Sequence, residues 1–299
     1  MEYQLIKSLE GHQGAIYTIC EGPEEHIVYS AGADRKVIEW NLDTLQPIRV
    51  IAKSPTTVIS LCFIKELNIL LIGQVEGGVH VIDIEKGSEI KYLKVHKGYI
   101  FDIKYVENKK EIVFSSGDGS FSVWSANDYK MLLQEKIANG KIRDLSINLN
   151  RDEACFASGD GVAIIYNLKD WTEKNRIEND GVAINAVKYL NENRLLFGDK
   201  MAHLSEVDLL TNRVIQKLPA HNWAIYSIDQ GENKDVFAIG SRDKTLKVWD
   251  ANQLKVLKRF EGFKDQAHTH SVNKILWLSY KNYLLSTGDD GKIKVWQTP

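Results

Sequence analysis

Trp40, Ile82, Trp124 and Tyr166 stand 42 residues apart in succession, and the register runs on through Val207, Trp249 and Trp296 at intervals of 41, 42 and 47. A period of this length marks a series of like supersecondary units, each too small to bury its own apolar surface. Seven copies account for nearly all of the 299 residues. One domain spanning 1–299 is expected, with nothing sizeable left over for a second.

The copy from His96 to Trp124 shows what one unit is. An alternating apolar run (Ile100, Ile103, Tyr105) is followed by the polar break Glu107-Asn108-Lys109-Lys110 and then by Ile112-Val113-Phe114. A turn at Gly117-Asp118-Gly119 leads into Phe121-Ser122-Val123-Trp124, and Asn127-Asp128 turns the chain into a last run from Lys130 to Glu135. Short alternating runs joined by Gly, Asp and Asn turns are strands of an antiparallel meander. Each repeat is therefore predicted to be one four-stranded sheet. Seven such sheets stacked face to face make an all-β, seven-bladed β-propeller, which leaves only short edges. The last copy reaches Pro299 after its third strand, its strands falling at about 271–298, while residues 1–9 resemble fourth-strand segments such as Arg213 to Leu218. The N-terminal strand is expected to complete the last blade.

Composition narrows the function classes. A formal charge of −2, from 38 Lys and Arg against 40 Asp and Glu, with no dense basic block, argues against a nucleic-acid binder. No apolar run is long enough for a signal peptide or a bilayer span, so a cytoplasmic protein is expected, or a nuclear one in a eukaryote. Cys20, Cys62 and Cys155 sit in strand-like apolar segments without a Cys-x-x-Cys pair, and read as small hydrophobes.

The repeat also explains most of the conspicuous polar residues. His12, His96, His221 and His268 each precede a repeat Trp by 28 residues, and an acidic residue stands six before the repeat position at Asp34, Glu76, Asp118, Asp160, Asp243 and Asp290. On these residues the chain resembles the WD-repeat β-propeller family over essentially its whole length. The resemblance implies a buried tetrad in three copies: His12, Ser30, Asp34 and Trp40; His96, Ser115, Asp118 and Trp124; His268, Ser286, Asp290 and Trp296. In the sixth copy Ala238 or Ile239 falls at the hydroxyl position beside His221, Asp243 and Trp249. The second, fourth and fifth copies depart further, with Ser54 and Ile82, Tyr166, and Asp180 and Val207 at the repeat positions.

No catalytic or metal centre is expected once these residues are assigned. His268-Thr269-His270 leaves His270 without further ligands, and the Gly-Asp turns join strand to strand where a phosphate loop needs a helix. No cofactor is expected. In the resembled family, the residue five beyond the repeat His lies on the rim of the central channel; here that position is Tyr17, Ile59, Phe101, Arg143, Asn185, Tyr226 and Asn273. Tyr99, Trp223, Lys141 and Arg242 adjoin it, and the five extra residues of the last interval fall near Gly262 to Gln266. Tyr17, Tyr99, Phe101, Arg143, Trp223, Tyr226 and Arg242 are the candidate partner-binding residues, because aromatics and Arg dominate binding hot spots. The expected function is a non-catalytic scaffold that binds a peptide segment or domain of another protein, itself monomeric, alone or as a subunit of a larger complex. A reader of acidic or phosphorylated peptides through Arg143 and Arg242 is one alternative; an enzyme with a channel active site is another.

Overall fold

The computed structural model describes residues 3–299, and those residues form strands joined by turns and three single-turn 3-10 helices. Seven four-stranded antiparallel sheets result, six of them from four consecutive strands. The seventh combines Val272–Trp277, Tyr283–Gly288 and Lys292–Gln297 with the N-terminal strand Gln4–Glu10. The fold is the all-β, seven-bladed β-propeller that the period predicts.

The chain divides into two compact units, Met1–Gln74, His80–Tyr92 and Tyr226–Pro299 in one, Val75–Val79 and Leu93–Ile225 in the other. The first carries the first, sixth and seventh blades and most of the second. Its core lies between sheets: Leu9, Ile16, Val28, Trp40, Leu285 and Val295 form one buried cluster. The N-terminal strand joins this unit by pairing Gln4 with Gln297, Leu5 with Trp296, Leu9 with Ile293 and Glu10 with Lys292. The second unit holds the third, fourth and fifth blades, where Phe121 lies 4.6 Å from Phe156 and 5.0 Å from Tyr166 by ring centroids.

One irregularity recurs at a fixed place. In the innermost strand of each of six blades the ladder skips the residue five beyond the repeat His or its equivalent, so that Tyr17, Ile59, Phe101, Arg143, Asn185 and Asn273 are bulged. A bulge re-aims a side chain and increases the local twist. The next residue turns back toward the neighbouring sheet. Thr18 Oγ1 accepts the N–H of Leu61 (3.1 Å), Asp102 Oδ2 that of Leu145 (3.4 Å), and Asp144 Oδ2 that of Val187 (2.9 Å). These polar side chains satisfy backbone donors that blade packing would otherwise orphan.

The tetrad positions differ from copy to copy. In the first repeat Trp40 Nε1 donates to Ser30 Oγ at 2.7 Å, the same oxygen lies 2.8 Å from His12 Nε2, and His12 Nδ1 faces Asp34 at 3.0 Å. Asp34 also accepts the N–H of Gln13 and Lys36, which ties the loop entering the blade to the turn inside it. The seventh repeat matches it through Trp296, Ser286, His268 and Asp290.

The third repeat corrects the expectation for Ser115. Its hydroxyl is bonded to the backbone of Asp102, and Trp124 Nε1 donates instead to Ser122 Oγ at 2.9 Å, which His96 Nε2 approaches at 2.9 Å. The cause is strand alternation. The place of Ser30 is taken by Phe114, and Ser115, one residue on, points to the opposite face. Ser122, from the adjacent strand Ser120–Ser125, supplies the missing hydroxyl.

These networks make stability depend on pH. Burial lowers the pKa of His12 and of His96 against the opposing pull of Asp34 and Asp118. Burial works to raise Asp34, Asp118 and Asp290, yet their hydrogen bonds outweigh it and hold each carboxyl below its usual range. A base with a depressed folded pKa binds more protons unfolded than folded, so its contribution is complete above about pH 6.5 and drains as the pH falls. The three carboxylates withdraw theirs only below about pH 4. Thermal melts should therefore show Tm falling in two stages on acidification. A Tm that stays level from pH 7 to 5 would count against the first stage.

Candidate functional site

Within the second unit, four of the side chains on or beside the bulges come together. The Tyr99 and Phe101 rings meet edge to face with centroids 5.4 Å apart. Lys141 Nζ lies 5.3 Å from the Tyr99 centroid and 6.0 Å from that of Phe101, while the Arg143 guanidinium lies 5.3 Å from Phe101. Phe101 and Arg143 are the bulged residues of successive innermost strands, Ile100–Val106 and Ile142–Asn148. The repeat thus delivers an aromatic ring and a cation to adjoining places.

Glycine sets how closely the loop behind this cluster can lie. A Cβ on Gly117 would come within 3.2 Å of the Phe101 ring and of the Tyr99 nitrogen, and one on Gly98 within 2.9 Å of the Asp118 nitrogen. With no side chain at either place, the turn seats on the loop through Gly117 N–H to Tyr99 O at 2.8 Å.

Tyr99 is 42% exposed, Lys141 is exposed, and Phe101 and Arg143 are half-buried. Neither cation forms an ion pair among the described residues. Two positive charges held over two rings by cation–π attraction make a surface that is both apolar and cationic. Such a surface suits a segment presenting an acidic group beside an apolar one.

Trp223, 55% exposed, precedes the strand Ile225–Asp229. In the first unit Tyr17 and Tyr226 are half-buried and Arg242 is exposed. Asn185 and Asn273, at the same repeat position, are braces: their amides donate to the carbonyls of Ile225 (3.1 Å) and Ile16 (3.0 Å). Composition alone does not single out Phe263. It is 101% exposed on a loop held by Ala267 N–H to Gly262 O and by Lys258 to Asp265 at 2.8 Å. The lengthened final interval is the signal that points there.

The Ser30, His12 and Asp34 distances resemble those of a hydrolytic triad. Geometry alone does not make one. Ser30 is fully buried and its oxygen already accepts the Trp40 indole N–H, so no acyl carbon can reach it; Ser286 is held in the same way by Trp296. Burial pushes the Cys155 thiol far above its usual range, which leaves it inert as a nucleophile. Among the described residues no group of three or more His, Cys, Asp or Glu is placed to hold a metal ion, and no helix is long and apolar enough to cross a membrane.

The family model described as "WD domain, G-beta repeat" matches residues 3–41, 212–250 and 257–297. Those three segments are WD repeats. The WD40 β-propeller domain of Doa1 superposes with a TM-score of 0.87 over 99% of this chain and 97% of that one, at 15% identity, so the likeness is one of fold. Among curated proteins, WD repeat-containing protein 55 of Arabidopsis thaliana is 20% identical over 76% of this chain and 65% of its own length. Ribosomal RNA-processing protein 9 of Saccharomyces cerevisiae is 25% identical over 42% of this chain and 22% of its own length. A guanine nucleotide-binding protein subunit beta of Oryza sativa subsp. indica is 25% identical over 40% of this chain and 33% of its own. The chain thus spans less than two thirds of each of these relatives.

Proposed function

We propose that this WD-repeat protein is a non-catalytic interaction scaffold, and that Tyr99, Phe101, Lys141 and Arg143 hold a segment of a partner protein. The observation that carries the reading is the pair of cations stacked on two partly exposed rings without carboxylate partners among the described residues. Propellers of this family typically serve as protein-interaction scaffolds. The names of two relatives, a G-protein subunit and an RNA-processing protein, fit a part played within assemblies. An acidic residue in the partner segment is favoured over a neutral one, because a carboxylate or phosphate pairs with Arg143 through two N–H groups.

The triple variant Tyr99→Ala, Phe101→Ala, Arg143→Ala tests this. Truncating a hot-spot residue costs about 2 kcal/mol or more of affinity, so partners recovered by quantitative pull-down should fall by more than about tenfold. An unchanged partner list from a folded variant sinks the assignment. Matched phosphorylated and unmodified peptides from a recovered partner then decide whether the anion is a phosphate.

A further inference from the structure

The second blade lacks the residues that fill the tetrad slot elsewhere. In the 42-residue register Ser54, Ile72 and Ile82 occupy the places of His12, Ser30 and Trp40. Where the first blade has an indole, the second has a cleft of about 210 Å³, lined by Ile51, Ser54, Ile72, His80, Ile82 and Glu89. Three tetrad positions line it, so the cleft is the vacated indole slot. Gln74 Nε2 donates to Ser54 Oγ at 2.5 Å and so engages that hydroxyl within the blade, while Ile51, Ile72 and Ile82 make the cleft's aliphatic wall. An apolar cavity of about 150 Å³ suffices to take benzene, so this one has room for an aromatic ring.

His80 supplies the polar contact. It stands two residues before Ile82 on the strand Gly78–Asp83, as Ser122 stands two before Trp124 in the third blade, where Ser122 accepts the indole N–H at 2.9 Å. His80 Nδ1 lies 3.0 Å from Glu89 Oε1, which places the proton of the neutral ring on Nδ1 and leaves Nε2 an acceptor. Nε2 is buried and has no hydrogen-bond partner, and the Tyr92 ring braces the imidazole at 4.8 Å. A buried acceptor left unpaired costs about 1–3 kcal/mol, a cost that a donor entering the slot removes.

We propose that the second blade binds an indole ring from outside the chain, the Nε2 of His80 accepting its N–H and Ile51, Ile72 and Ile82 holding its faces. The ring belongs to a tryptophan side chain of a partner segment, and the choice of a protein source rests on the scaffold reading. The slot itself does not. Exposed Lys53, Gly87, Ser88 and Glu89 form its mouth, so a side chain can enter from solvent.

The test titrates indole, 1-methylindole and N-acetyltryptophanamide into the full chain, read by the NMR signals of the His80 ring. Expected are saturable shifts with indole and N-acetyltryptophanamide, binding of 1-methylindole weaker by about fivefold or more, and loss by about tenfold in Ile82→Trp, which refills the slot from within. Ile72→Phe narrows the same slot from the facing strand and serves if Ile82→Trp does not fold. No saturable binding, or binding that survives a folded slot-filling variant, overturns the site. Equal affinity for 1-methylindole overturns the role of His80. Indole binding without N-acetyltryptophanamide binding overturns the tryptophan source. The variant Tyr99→Ala, Phe101→Ala, Arg143→Ala should leave indole binding unchanged, which separates this site from the aromatic and cationic cluster.

Discussion

Deleting residues 1–10 is expected to abolish the cooperative fold of the unit that the N-terminal strand joins. The strand Gln4–Glu10 forms the outer edge of the seventh blade, and its loss leaves Lys292–Gln297 as an unpaired edge. Leu9 is buried against Ile16, Trp40 and Ile293, while Tyr3 and Leu5 cover the cluster around Phe260 and Trp296, the Tyr3 and Phe260 rings lying 6.3 Å apart. Emptying one buried leucine site costs about 2–5 kcal/mol. With the lost ladder added, the deletion removes an amount comparable with the whole stability of an ordinary domain, about 5–15 kcal/mol. Guanidinium unfolding followed by near-ultraviolet circular dichroism should show no native baseline. A synthetic peptide of residues 3–11 should restore it in proportion to its concentration, since a ligand that binds only the folded state stabilises by mass action. A deletion variant that melts within a few degrees of the parent would refute the closure.

The period made the blades legible because the repeat is written in turns and apolar alternation, both local. The first and seventh tetrads were legible for the same reason, His12 with Ser30 and His268 with Ser286 each being 18 residues apart. Ser115 was misplaced because Phe114 holds the tetrad place on its strand and Ser115, one residue on, takes the other face, which only the ladder decides. The bulged positions followed from counting, but their exposure and grouping did not. At one repeat position Phe101 and Arg143 face each other as ring and cation, whereas Asn185 is a buried brace. The bulge gives every copy the same backbone irregularity, and the side chain and its neighbours decide what it does. The slot of the second blade was hidden for a different reason. In sequence Ile82 reads as a weakened repeat; in space it is a cavity with an acceptor at its wall.

Trp296→Ala should cost about 3–5 kcal/mol, the range for emptying a large buried site. Trp296 is fully buried, its ring centroid lies 4.2 Å from that of Phe260, and its N–H is bonded to Ser286 Oγ. Replacement by Phe isolates the polar share, because an equal change at Trp249 of the sixth blade provides the control. Trp249 is also buried, and it stacks on Phe237 at 6.1 Å, but Ile239 stands where Ser286 does in the seventh blade and the indole N–H has no acceptor. Trp296→Phe therefore leaves the buried Ser286 oxygen without its indole donor, whereas Trp249→Phe removes a donor that was already unsatisfied. The first should cost about 1–3 kcal/mol more than the second, read as the difference in chemical denaturation midpoints at a common slope. Equal losses would mean that the Trp, Ser, His and Asp network contributes specificity of packing but no net stability. A larger loss at Trp249 would place its N–H on an acceptor and contradict the hydrogen bonding described for that blade.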